Sequence, residues 1–149
     1  MSKRDVQETL RGLLQSQQFG VLATSASGQP YTSLVAFAAT TDLNALYFAT
    51  TRATRKYANL SAEPRVSFLI DSRSNSATDV RDAVATTVTG RCTETSGEEH
   101  DTALALYLAK HPHLEEFVVA PTCALLRFDV ETYYLVDRFQ HVVEWHVHS

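Results

Sequence analysis

The spacing of apolar residues changes once, at Phe19, and from there most of the chain is strand-like. Before that point Val6, Leu10, Leu13 and Leu14 recur at helical spacing and Gly20 follows, so residues 3–17 are predicted to form an amphipathic first helix packed on one side. After it come short β-rich runs separated by turn residues. They are 20–25 and 31–40 with Ala26-Ser27-Gly28-Gln29-Pro30 between them, then 45–49 after Asp42-Leu43-Asn44, then 66–70. A long run over 83–93 has Gly90 as a predicted bulge, and 124–137 and 141–147 complete the series. Helices are predicted over 55–62, capped by Thr54 and ended by Pro64, and over 98–110, stopped by His111-Pro112. The expected fold class is mainly β (α+β): six or seven antiparallel strands with peripheral helices, economically closed into a barrel that leaves no sheet edge open.

Composition fits a single domain spanning 1–149. At 149 residues, 44% hydrophobic and 20% charged, the chain can bury a core without disulfides or structural metal and lies far from the composition of disordered segments. The longest apolar run, 103–109, is seven residues, against the ~20 that a spanning helix needs, and the N-terminus has no apolar signal core. The expectation is a cytoplasmic protein with no membrane partner. Seventeen acidic against 13 basic residues, net charge -4, speaks against nucleic acid, whose phosphates call for a basic stripe. Cys92 and Cys123 follow no C-x-x-C spacing and read as reduced, buried thiols. The five glycines stand too far apart to write G-x-G-x-x-G or G-x-x-x-x-G-K-[ST], which removes Rossmann and P-loop nucleotide sites.

Chemistry is concentrated in Thr50-Thr51-Arg52-Ala53-Thr54-Arg55-Lys56. Three hydroxyls, three cations and the free amides of a helix N-terminus suit a phosphomonoester; the alternative is a solvated helix cap. Upstream, Ser33, Val35 and Phe37 share one strand face and Leu34, Ala36 and Ala38 the other, both nearly free of charge, so the strand is expected to be buried on both sides. Small residues at 33, 36 and 38 would admit a flat ligand to the strand backbone, or are small core residues of a barrel. Glu144, His146 and His148 alternate onto one face near the C-terminus, and His111 and His113 add two more histidines, but no diagnostic metal-ligand spacing appears and no metal is assigned. Tyr133, Tyr134 and Trp145 fit barrel packing or ring stacking equally.

In order, Gly28-Gln29-Pro30-Tyr31, the Leu34-Val35 strand, Phe48-x-Thr50 with Thr54-Arg55-Lys56, and Glu63-Pro64-Arg65-Val66-Ser67 resemble the pyridoxamine 5'-phosphate oxidase family and its FMN-binding split-barrel relatives. The resemblance covers roughly residues 19–92 and is densest over 28–70. It implies a six-stranded split barrel that forms a homodimer, with FMN in each of two clefts at the subunit interface. It further implies that Thr50, Arg55 and Lys56 hold the phosphate, with Thr51 as an extra hydroxyl, while Ser33, Leu34, Val35 and Ala36 line the ribityl chain and ring. Arg73 and Asn75, in the polar segment after the fourth strand, are candidates for reaching a flavin from the partner subunit, or belong to a solvent loop.

The departures narrow the expectation. Ser33 stands where the oxidases proper carry an arginine facing the flavin, Ala38 where they carry a lysine for the substrate phosphate, and the C-terminal segment does not align with theirs. The expected function is therefore an FMN-dependent oxidoreductase of unknown small-molecule substrate or electron donor, without pyridoxamine 5'-phosphate oxidase activity itself. The alternatives are a non-catalytic flavin-binding electron carrier or redox sensor, and a split barrel that binds haem instead of FMN.

Overall fold

A capping box starts the chain: the Ser2 hydroxyl accepts from the Asp5 amide and the Asp5 carboxylate accepts from the Ser2 amide, opening helix α1 (Lys3–Ser16). The computed structural model describes residues 2–138 and 141–148. Val6, Leu10, Leu13 and Leu14 are the buried stripe of α1, as their spacing predicts. Strands β1 (Phe19–Ala26) and β2 (Gln29–Ala39) follow as a hairpin. Ala26 pairs with Gln29, which leaves a two-residue loop of Ser27 (φ 50°) and Gly28 (φ 81°); two successive positive φ values match the right-handed twist of the strands. The loop is tighter than the five-residue turn expected, and both strands run correspondingly further.

Next come β3 (Ala45–Thr51), α2 (Arg55–Ala62), β4 (Arg65–Asp71), a single turn α3 (Asp79–Asp82), β5 (Ala85–Glu94) and α4 (Gly97–Lys110). A 3-10 turn, Pro112–Leu114, leads into α5 (Glu115–Val119), and β6 (Cys123–Asp137) and β7 (His141–His146) close the order. Every strand pairing is antiparallel, in the order β3-β2-β1-β4-β5-β6-β7, and β3 also pairs with β6. That last pairing closes six strands into a barrel. The 15-residue β6 carries β5 on one edge; on the other, β3 covers Cys123 to Asp129 and β7 covers Thr132 to Asp137, so the seventh strand continues where the closing strand leaves off. Between β5 and β6 the register skips Glu131, with Thr89 opposite Thr132 and Gly90 opposite Val130. The predicted bulge is there, and glycine is required: a Cβ at 90 would stand 2.0 Å from the Asp129 carbonyl oxygen.

Two apolar layers result. Inside the barrel Leu22, Val35, Phe37, Phe48, Phe68, Val88 and Phe128 are buried with the α1 stripe, and Phe68 meets Phe48 and Phe128 edge-on at 5.5 and 5.1 Å. Tyr133 stacks on Trp145 at 5.7 Å and donates to the Leu43 carbonyl, so these aromatics serve packing. Outside the barrel Ala38, Tyr47, Ala49, Cys123 and Leu125 lie under α4 and α5, against Ala103, Tyr107 and Val118.

The expectation that the second strand is buried on both sides is corrected here. Leu34 is 68% exposed, because α4 and α5 cover the outer face only from about Ala36 onward. Both cysteines are buried, and burial pushes both thiols up in pKa, which disfavours the thiolate form. No helix among the described residues is long and apolar enough to cross a membrane.

Candidate functional site

The open part of that outer face is one wall of a cleft. Its floor is Leu34, Val35 and Ala36 of β2 with Ala49, Thr50 and Thr51 of β3; Phe19 of β1 stands on one side, and Tyr107, Leu114 and Phe117 of the α4–α5 segment on the other. One end is polar, built from Thr50, Thr51, Thr54 and Lys56. The volume is about 280 Å³.

The polar end is a strand-to-helix junction. Thr54 caps α2 by accepting from the Tyr57 amide at 3.2 Å, and its hydroxyl donates to the Thr51 carbonyl at 3.1 Å. Thr50 Oγ1 lies 2.8 Å from Thr54 Oγ1, so these two hydroxyls hold the loop in shape. The donors left over are the Thr51 hydroxyl, the Lys56 ammonium and the Arg55 and Lys56 amides at the start of α2, none of which meets an acceptor among the described residues. Uncommitted amides at a helix start beside a cation are chemistry able to receive an anion.

Six of the ten residues expected to contact cofactor line this cleft: Leu34, Val35, Ala36, Thr50, Thr51 and Lys56. The other four lie elsewhere. Arg55 opens α2 but its guanidinium sits 5.9 Å from the centre of the Tyr31 ring, outside the wall. Ser33 faces the barrel interior, and its hydroxyl is buried with no hydrogen-bond partner among the described residues. Arg73 pairs with Asp71 at 3.1 Å, and Asn75 (φ 64°) donates its amide to Asp79; both are exposed on the loop before α3. There the Asp79 carboxylate gathers the amides of Ser74, Asn75 and Ser76, which hold it below the usual carboxylate range. The expected convergence of three cations reduces to one on the cleft wall, because Arg52 turns away to Glu94 and the Pro121 carbonyl.

Phe19, Ala49, Tyr107, Leu114 and Phe117 belong to the cleft without having been picked out from the sequence. Leu114, Phe117 and Val118 stand at i, i+3 and i+4, the spacing of the short helix that carries the far wall. Tyr107 is 1% exposed, and burial first, then the Cys123 thiol, pushes its phenol up to about 12. Behind it, His111 is fully buried with its ring 5.1 Å from that of Tyr107, and its Nε2 donates to the Phe37 carbonyl at 2.7 Å, since a carbonyl only accepts. Its Nδ1 has no partner among the described residues, and burial lowers its pKa.

The remaining histidine positions do not gather. His146 lies 3.2 Å from Glu144 and 3.0 Å from the Thr132 hydroxyl, and no group of three potential metal ligands occurs among the described residues.

Solved structures of similar fold include haem-binding, haem-storage and FAD-binding proteins. A haem-binding protein from Mycobacterium smegmatis superposes with a TM-score of 0.87 at 19% identity, covering 99% of this chain, which spans 60% of that one. HutZ, the haem storage protein from Vibrio cholerae, gives 0.74 at 17% identity, covering 88% of this chain and 93% of its own. An FAD-binding protein from Mesorhizobium loti gives 0.67 at 21% identity, covering 91% and 94%. At these identities the likeness establishes the fold alone. A search of curated protein sequences finds no match. The profile for pyridoxamine 5'-phosphate oxidase, in contrast, matches residues 6–137, from the first helix to the end of β6. With the split barrel, the β3–α2 junction and nearly the whole length accounted for, this chain belongs to the pyridoxamine 5'-phosphate oxidase family.

Proposed function

We propose that the protein binds FMN in this cleft as a homodimer and works as a flavin-dependent oxidoreductase on a small molecule. The observation that carries the reading is the junction of an anion site with an apolar slot: the Thr51 hydroxyl, the Lys56 ammonium and the α2 amides at one end, and Leu34, Ala36, Ala49, Phe19 and Phe117 along the rest. A phosphomonoester on a flat ring system has this division of polarity. At about 280 Å³ the cleft falls just under the roughly 300–1,000 Å³ of small-molecule sites, so one chain covers only part of a mononucleotide. Its open side is rimmed by exposed apolar side chains, Phe19 at 53%, Leu34 at 68% and Phe117 at 39%, a surface suited to a second copy. In this reading Arg55 supplements the phosphate site from its rim, Ser33 supports the floor strand from within, and Arg73 and Asn75 reach the partner's cleft.

Bound FMN would supply hydride or single-electron transfer. The chain's own residues hold the phosphate, keep water from the ring and shape the space beside it. Ala38 lies under α4 with Ala103 and Tyr107 and carries no charge of its own, and the Lys110 ammonium near it is committed to the Leu14 carbonyl and the Phe37 ring, which is consistent with a substrate other than pyridoxamine 5'-phosphate.

A second reading, haem in place of FMN, draws support from the haem-binding and haem-storage proteins of similar fold. No histidine among the described residues lines the cleft, so an iron ligand would have to come from outside it. Titration with FMN and, separately, with haemin tests both. Saturable quenching of flavin fluorescence with no Soret shift supports flavin; a saturating Soret shift without flavin binding overturns it. Turnover of NADH or NADPH with an acceptor separates an enzyme from an electron carrier.

A further inference from the structure

Among the side chains that wall the cleft, Tyr107 has a polar group with nothing to bond among the described residues. It is 1% exposed, and its hydroxyl has no hydrogen-bond partner among the described residues. Buried tyrosine hydroxyls ordinarily find one. Among the described residues the sealed, unpartnered side-chain polar atoms are Ser33 Oγ and His111 Nδ1 and not the Tyr107 hydroxyl, and the space that Tyr107 borders is the cleft. Tyr107 packs in one apolar layer with Cys123, and Cys123 is paired with Thr51 across β3 and β6, which brings the Tyr107 side chain to the polar end. The ring is held from behind by His111, itself tied to the Phe37 carbonyl, so the hydroxyl is presented by a braced side chain.

Resting on the flavin reading above, we infer that Tyr107 is a further ligand-binding residue, whose hydroxyl donates a hydrogen bond to an oxygen of the bound ligand's phosphate. It complements Lys56 and Thr51 from the opposite wall and makes the site selective for a phosphomonoester. With its pKa pushed up to about 12, the phenol stays a neutral donor through the physiological range and adds no charge repulsion toward a dianion.

The test uses the full-length purified protein and its Tyr107→Phe variant, each titrated with FMN and with riboflavin, together with the melting temperature of the ligand-free protein. The expected result is an FMN Kd raised about tenfold in Tyr107→Phe, riboflavin Kd unchanged, and a ligand-free melting temperature equal to or above wild type, since the variant loses only an unpartnered hydroxyl. Equal FMN affinity in the two proteins, or an equal loss for FMN and riboflavin, overturns the inference while leaving the flavin reading intact. Wild-type protein that fails to bind FMN overturns both.

Discussion

At the scale of single residues, His111 joins the site to the stability of the protein. It is fully buried, its Nε2–H is committed to the Phe37 carbonyl, and the charged groups acting on it, Lys110 and His113, both oppose a positive charge. Burial is the larger cause, and together they hold its folded pKa below the ordinary value of 6.5. The unfolded chain therefore binds a proton at higher pH than the folded one, and stability falls as pH drops below about 6.5. His111→Gln keeps an amide donor for Phe37 and cannot titrate. Its melting temperature is expected to change less between pH 7 and pH 5.5 than that of wild type; equal slopes would show that His111 does not set the dependence. The same scale shows where sequence reading stops. Arg52, Arg55 and Lys56 are equivalent as composition, and only the turn into α2 decides that Lys56 faces the cleft while Arg52 meets Glu94 and Arg55 meets Tyr31.

Elements were legible where a short-range rule governs them. Short β-rich runs bounded by turn residues place all seven strands, while the Ser27-Gly28 hairpin is tighter than the turn expected because two successive positive φ values close it in two residues. The segment 112–119 gives only a short signal, because Pro112 ends α4 and the apolar spacing beyond it spans little more than a turn, yet that segment carries the far wall of the cleft. Tyr107 likewise looks like any core residue of an amphipathic helix, and only packing of α4 against β3 reveals what it borders. The bulge gives a prediction at this scale. Gly90→Ala sets a Cβ against a carbonyl fixed by the β5–β6 ladder and is expected to destabilise by about 1–3 kcal/mol or more. Gly12→Ala on exposed α1, where nothing stands within 4 Å, is expected to stabilise by about 0.5–1 kcal/mol. Urea unfolding of both variants checks the pair, and a Gly90→Ala protein as stable as wild type would refute the close approach.

For the whole molecule, the question is what covers the open face of β1 and β2. Phe19 and Leu34 are core-type residues that the single chain leaves in water, beside a cleft of about 280 Å³. A second copy seated there would bury the first and deepen the second, so assembly and cofactor binding are expected to be lost together. Leu34→Glu should give a monomer in sedimentation and weaken FMN binding, with little change in the chain's own melting temperature. A Leu34→Glu protein that stays dimeric places the interface elsewhere.

The central claim is that the cleft recognises a phosphate at the start of α2, and the ratio of riboflavin to FMN affinity tests it most directly. Charge-assisted contacts are worth about 1.5–3 kcal/mol each, so Lys56 with the helix amides should make FMN bind at least about 100-fold more tightly than riboflavin. That preference should shrink about tenfold or more in Lys56→Ala. Equal affinity for the two ligands, or a preference that survives Lys56→Ala undiminished, would contradict the account.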